Sequence, residues 1–91
     1  MLLQRLKISG HSMEPSIKDG AEVLASSIPF IFFKPKVGNV VAFKYFNKIL
    51  IKRIKKSQSN HFLMEGDNVS DSLKLGWVNK NDIIGKVIYK L

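Results

Sequence analysis

The sequence predicts a small all-β protein, a compact antiparallel β-sheet. Short apolar runs are broken by Gly, Asn, Asp and Pro, which is how strands and turns punctuate a chain. Nowhere does a 3.6-residue periodicity persist for three turns, so helix is expected to be scarce. At 91 residues the chain reads as one domain, 1–91, burying only about 60–65% of the surface its unfolded form exposes. Its core is therefore expected to be thin, although a hydrophobic content of 45% suits a globular fold.

Taken in order, strands are expected near 3–9, 21–26, 39–46, 49–55, 61–65 and 83–90, with turns at "KDG" (18–20), "KPKVGN" (34–39), "NK" (47–48) and "EGDN" (65–68). The stretch "VVAFKYFNKILIKRIK" reads as a hairpin closed by Asn47 and Lys48, because Asn tolerates the left-handed conformation that a tight turn needs. A two-residue loop there places Phe43 opposite Lys52. Strand alternation then sets Leu50, Lys52 and Ile54 on one face and Ile49, Ile51 and Arg53 on the other. Between the second and third strands, "SSIPFIFFKPK" has two readings. One is a short strand burying alternate residues; the other is an exposed apolar loop of Phe30, Ile31, Phe32 and Phe33 that dips into a bilayer interface, with Lys34 and Lys36 near anionic headgroups.

Charge and composition narrow the function classes. Fifteen Lys and Arg against seven Asp and Glu give a net charge of +8, which favours a polyanionic neighbour. The basic residues are spread along the chain without the aromatic signature of an RNA-binding module, so no nucleic-acid partner is expected. There is no cysteine, and His11 and His61 are the only histidines; metal catalysis lacks ligands, and no cofactor is expected. No window approaches the ~20 apolar residues of a membrane span, and "MLLQRLKI" is too short and charged for a signal peptide.

Candidate chemistry begins at "GHSMEPS", residues 10–16. In an extended segment His11 and Ser12 point to opposite faces, so His11 is poorly placed to take a proton from its neighbour. Pro15 fixes its own φ and constrains Glu14, and Gly10 admits close backbone approach beside the serine. Lys52, among Phe43, Leu50 and Ile54, is expected to be desolvated, which disfavours its charged form. Bringing an amine from ~10.4 to near 7 takes roughly 4–5 kcal/mol of differential destabilisation, attainable at a buried site.

Together, "GHSMEPSIKDG", "ILIKRI" and "EGDNVSDSLKLGWVNKNDIIGKV" resemble type I signal peptidases and their small relatives, within the wider group of Ser-Lys proteases that includes self-cleaving LexA-type repressors. The resemblance spans roughly residues 8–91. It implies a partly open barrel of the signal peptidase/LexA catalytic-core type, with Ser12 as nucleophile and Lys52 as general base. It implies an oxyanion hole built on the backbone N–H of Ser12. In bacterial members a serine often assists from two positions before the nucleophile; Gly10 stands there in this chain. Asp71 and Ser72 match the family's D-S pair, Ser70 is the nearest candidate to orient the lysine, and Leu73 stands where an arginine is common. Asp67 and Asn68 read as turn formers. Ile8, Met13 and Ile51 match positions bordering the shallow pockets that accept small residues before the cut. Ile51, on the opposite strand face from Lys52, needs a bulge or edge geometry to do so.

The function implied is a serine endopeptidase with a Ser-Lys dyad that removes an N-terminal signal or leader peptide after small residues. Its partner would be the extended peptide of an exported or precursor protein, met at the extracytoplasmic face of a membrane. Two alternatives stand beside it. One is a dedicated propeptide maturation protease resembling those that trim nickel superoxide dismutase precursors, cytoplasmic in that case; the other is a non-enzymatic basic β-barrel binding module. A self-cleaving repressor fits less well, because neither a DNA-binding segment nor a linker with a cleavage site precedes Ser12.

Overall fold

Alternating apolar and polar residues bury one side of a strand and wet the other, and the chain uses this period to cover both faces of one sheet. The structure, a computed structural model, describes residues 2–68 and 75–91. Strands β1 (Gln4–Lys7), β2 (Glu22–Ser26), β3 (Val40–Tyr45), β4 (Lys48–Gln58), β5 (His61–Glu65), β6 (Trp77–Asn79) and β7 (Ile83–Lys90) form a single open sheet in the order β1-β2-β7-β3-β4-β5-β6. Every pairing is antiparallel. The all-β expectation holds. The sheet is antiparallel and open, with β1 and β6 at its ends, in keeping with the expected compact sheet or partly open barrel. The short strand β6, which lacks a run of β-branched residues, was not foreseen.

The "IPFIFFK" stretch departs from the strand reading. Pro29 opens a four-residue helix α1 (Pro29–Phe32), since a proline lacks the N–H that a first helical turn leaves unused and its φ suits that position. A helix cannot bury alternate residues, so Phe30 alone turns onto the core beneath it, while Ile31, Phe32 and Phe33 remain 69%, 75% and 65% exposed.

The β3–β4 hairpin turns one residue earlier than expected. Tyr45 pairs with Lys48, Phe43 with Leu50 and Val41 with Lys52. The left-handed residue is Phe46, at φ 55°, rather than Asn47. A bulky residue there costs about 1–3 kcal/mol. The register it permits sets Phe43 against Leu50 instead of against a lysine, and the Phe46 ring meets Tyr45 edge-on with centroids 4.7 Å apart. Because pairing slips by two residues, each side chain keeps the face that alternation assigned it.

Two apolar clusters result. Val41, Phe43, Ile54, Phe62, Met64 and Val78 pack together, with Leu50 against them. Ile8, Met13, Ile17 and Val23 form the second, joined by Val40, Ile51 and Val87. Residues of β4 thus divide by parity between the clusters. Register shifts at Leu24/Ala25, Ala42/Phe43 and Ile54/Lys56 bend and twist the sheet locally, as bulges do.

Strand β7 lies between β2 and β3 and passes close to the end of β2. A Cβ built on Gly85 would sit 2.9 Å from both the carbonyl carbon and the oxygen of Ser26. These are backbone atoms, which cannot rotate aside. Gly85→Ala is therefore expected to destabilise the fold by about 1–3 kcal/mol, the usual cost of overpacking, measured as a fall in the urea midpoint. An unchanged midpoint would show that β2 and β7 separate without cost.

Candidate functional site

The site is assembled from a turn and a strand forty residues apart in sequence. After β1 the chain leaves the sheet at Ser9 and Gly10, and Gly10 takes φ 98°, which a side chain tolerates poorly. The Gly10 N–H donates to Asp19 Oδ1 at 2.8 Å. Glycine is required here by this left-handed backbone rather than by the close approach expected from sequence, because a Cβ on Gly10 would have no neighbour within 4 Å. Successive turns follow: Glu14 N–H donates to His11 O at 3.1 Å and Ile17 N–H to Met13 O at 2.9 Å. Met13 and Ile17 anchor this segment in the second apolar cluster, and Ser12, just before Met13, is partly buried.

Ser12 Oγ and Lys52 Nζ are hydrogen-bonded to each other. Lys52 is 8% exposed, on the strand face that also carries Leu50 and Ile54. Its cross-strand partner is Val41. Ring nitrogen Nδ1 of His11 instead meets Glu14 Oε2 at 2.9 Å; the segment runs through turns rather than the extended backbone from which the separation of His11 and Ser12 was expected. That contact, and the Asp19 N–H, hold the Glu14 carboxyl below its ordinary range.

Why Ile51 and Lys52, on opposite faces, both serve one site follows from the strand pairing. Among the described residues β5 joins β4 only from Arg53 onward. Residues 48–52 therefore have β3 on one side, and no strand of the described residues pairs with the other edge. A groove of about 440 Å³ runs along this edge, with residues 7–9 on its far side. It brings together Ser12, Lys52, Ile8, Met13 and Ile51, so the edge-strand geometry answers the problem of Ile51. Gly10 does not line the groove, whereas Ser9 and Lys48 do. Ser70, Asp71 and Ser72 lie outside the described residues.

Sequence reading missed the residues that hold the two halves together. Asp67 accepts from Arg53 through Nε at 2.8 Å and Nη2 at 2.9 Å. Arg53 Nη1 also donates to Gly38 O at 2.8 Å. The neighbouring Asn68 donates its N–H to Ser12 O at 2.8 Å and its Nδ2 to His11 O at 3.2 Å. Asp67 and Asn68 thus clamp the turn carrying Ser12 to the strand carrying Lys52. A signal existed in "GDN" and in the outward parity of Arg53, but a turn-forming Asp-Asn pair looks the same in sequence. A second cleft, of about 620 Å³ beside β7, contains neither Ser12 nor Lys52. Two of its three cations have internal partners, since Arg53 is bound as above and Lys90 donates to Ser16 O; Lys86 is the third.

In comparison with known protein families, the model described as Peptidase S24-like matches residues 3–88. The chain belongs to this family, and is a serine peptidase-like protein. A search of the curated proteins found no match.

The Arg53 guanidinium, before any other influence, holds the Asp67 carboxyl below its usual value of 3.8, and the Ser16 hydroxyl acts in the same direction. A carboxyl depressed in the folded state contributes stability that is present above its unfolded pKa and is lost as pH falls through the folded one. Asp67→Asn should therefore lower stability at pH 7 and lose less than the native protein between about pH 4 and pH 2. Parallel urea titrations across that window test the clamp; identical pH slopes would show that it contributes nothing.

Proposed function

We propose that this Peptidase S24-like protein is an endopeptidase with a Ser-Lys dyad, which removes a signal or leader peptide from an exported or precursor protein after small residues. The observation that carries the reading is the hydrogen bond between Ser12 Oγ and a buried Lys52 amine at the unpaired edge of β4.

Burial disfavours the ammonium form of Lys52, and a neutral amine accepts the Ser12 proton. Ser12 Oγ then attacks the substrate carbonyl carbon, and its proton passes to Lys52 Nζ. The tetrahedral oxyanion is stabilised by the backbone N–H of Ser12, whose peptide plane is steadied by the Asn68 bond to Ser12 O. Collapse breaks the C–N bond, the Lys52 ammonium returns the proton to the leaving amine, and an acyl-enzyme ester remains. Water, deprotonated by the neutral lysine, hydrolyses that ester and regenerates Ser12. The substrate backbone adds to the free edge of β4 as an extended strand, with its side chains beside Ile8, Met13 and Ile51. Shallow apolar walls of this kind accept small residues.

The exposed turn around α1 favours a membrane-bound precursor over a soluble one. Ile31, Phe32 and Phe33 project into solvent without cover, and Lys36 stands over the Phe33 ring at 5.8 Å from its centroid. Leu2, also exposed, is tied to the same region through Ser26, whose hydroxyl donates to Leu2 O and accepts from the Ile28 N–H. An apolar tip with a basic collar suits an anionic bilayer interface. The protein would work at the extracytoplasmic face, with α1 as its peripheral contact.

Cleavage of a signal-peptide substrate should fall by several orders of magnitude in Ser12→Ala and Lys52→Ala, and change little in His11→Ala. The native rate should climb with pH until a lysine-like group has deprotonated. Wild-type rates in both dyad variants would sink the assignment. Binding of a basic surface ligand with no hydrolysis at any pH would favour the binding-module alternative. For the membrane contact, co-sedimentation with anionic vesicles should drop in Phe32→Ser and Phe33→Ser; equal binding by both variants would remove α1 from the proposal.

A further inference from the structure

The groove has a polarity of charge that the dyad does not use. Among the described residues its lining includes Lys7 and Lys48 and no Asp or Glu, so a peptide lying against these walls meets cations. The two lysines are not equivalent. Lys7 lies opposite Glu22 across the β1–β2 ladder and helps to hold that carboxyl below its usual range, after the larger influence of Arg5. Its charge is shared within the protein. Lys48 is exposed at the start of β4, with Tyr45 as its cross-strand partner, and among the described residues no ion pair engages it.

Position along the strand turns this into a rule about substrate. Lys48, Leu50 and Lys52 share one parity on β4, so Lys48 stands four residues, or about 13 Å of strand, from Lys52 along the groove-facing edge. A peptide paired in extended form with that edge has the same rise per residue. The residue that meets Lys48 is then about four positions from the bond that Ser12 attacks, on one side only.

We infer that Lys48 is a specificity-determining residue of the groove, selecting extended peptides that carry a carboxylate about four residues to one side of the scissile bond. This inference rests on the dyad reading for the location of that bond. The attraction acts between exposed groups, so its effect on kcat/KM is about two- to five-fold at low salt and fades as ionic strength rises. It acts on binding, through KM, because Lys48 touches no reacting atom.

The test is a set of extended peptides with a cleavable centre of small residues, each carrying a single Asp at one position from five before to five after the bond, with Asn at the same place as control. Cleavage is measured at low and high salt, and binding of the same peptides to Ser12→Ala is followed by fluorescence anisotropy. A KM gain near the fourth position on one side, with kcat unchanged, is expected. Lys48→Gln should abolish the gain and Lys48→Glu should transfer it to peptides with Lys at that position. A gain spread evenly over all positions, or one kept in Lys48→Gln, overturns the inference. If the native protein cleaves no peptide while Ser12→Ala binds with the stated preference, the dyad reading fails and the role of Lys48 in the groove stands.

Discussion

The Asp67 carboxylate is the tie on which the site depends. Ser12 sits on a turn outside the sheet and Lys52 on a strand within it, and neither has a local reason to meet the other. Asp67 accepts a two-pronged bond from Arg53, the residue next to Lys52, and is itself next to Asn68. Paired N–H donors on a carboxylate fix angle as well as distance. Asn68 adds two bonds to the backbone of residues 11 and 12, so a side chain and a main chain together set the nucleophile against the amine. Apolar anchoring by Met13 and Ile17 brings the turn near; the polar clamp sets its orientation.

The second constraint is an incomplete sheet. A strand edge with unpaired N–H and C=O groups invites association with another strand, and proteins guard such edges with lysines, bulges or short strands. Among the described residues β5 pairs with β4 only from Arg53 onward, while β1 ends the sheet on the other side of the groove. Lysines along such an edge discourage pairing with a second copy of a chain that carries a net charge of +8. Lys52, buried opposite Val41, reaches Ser12 with its amine in the same layout.

The Peptidase S24-like family match and the hydrogen-bonded Ser12 and Lys52 point to the same chemistry from independent directions, one from sequence pattern over most of the chain and one from geometry. Away from Ser12 and Lys52, the exposed tip at α1 and Lys48 at the rim of the groove are the features on which the proposed choice of substrate rests.

Alternation with period two is a local property, and from it the sequence determined the spans of six strands, the faces of β4 and the desolvated setting of Lys52. The turn at Phe46 escaped it, because a slip of two residues preserves every face and is decided by which side chains pack across the ladder, Phe43 with Leu50 rather than with Lys52. The placement of β7 between β2 and β3 and the early departure of β5 from β4 are likewise choices among pairings that a single strand cannot express. Asp67 and Asn68 read as turn residues because their partners, Arg53 and Ser12, lie 14 and 56 positions away. Sequence alone determined which residues have the chemistry; tertiary structure decided which of them meet, because long-range pairing and the bare edge it leaves are set by packing the whole sheet at once.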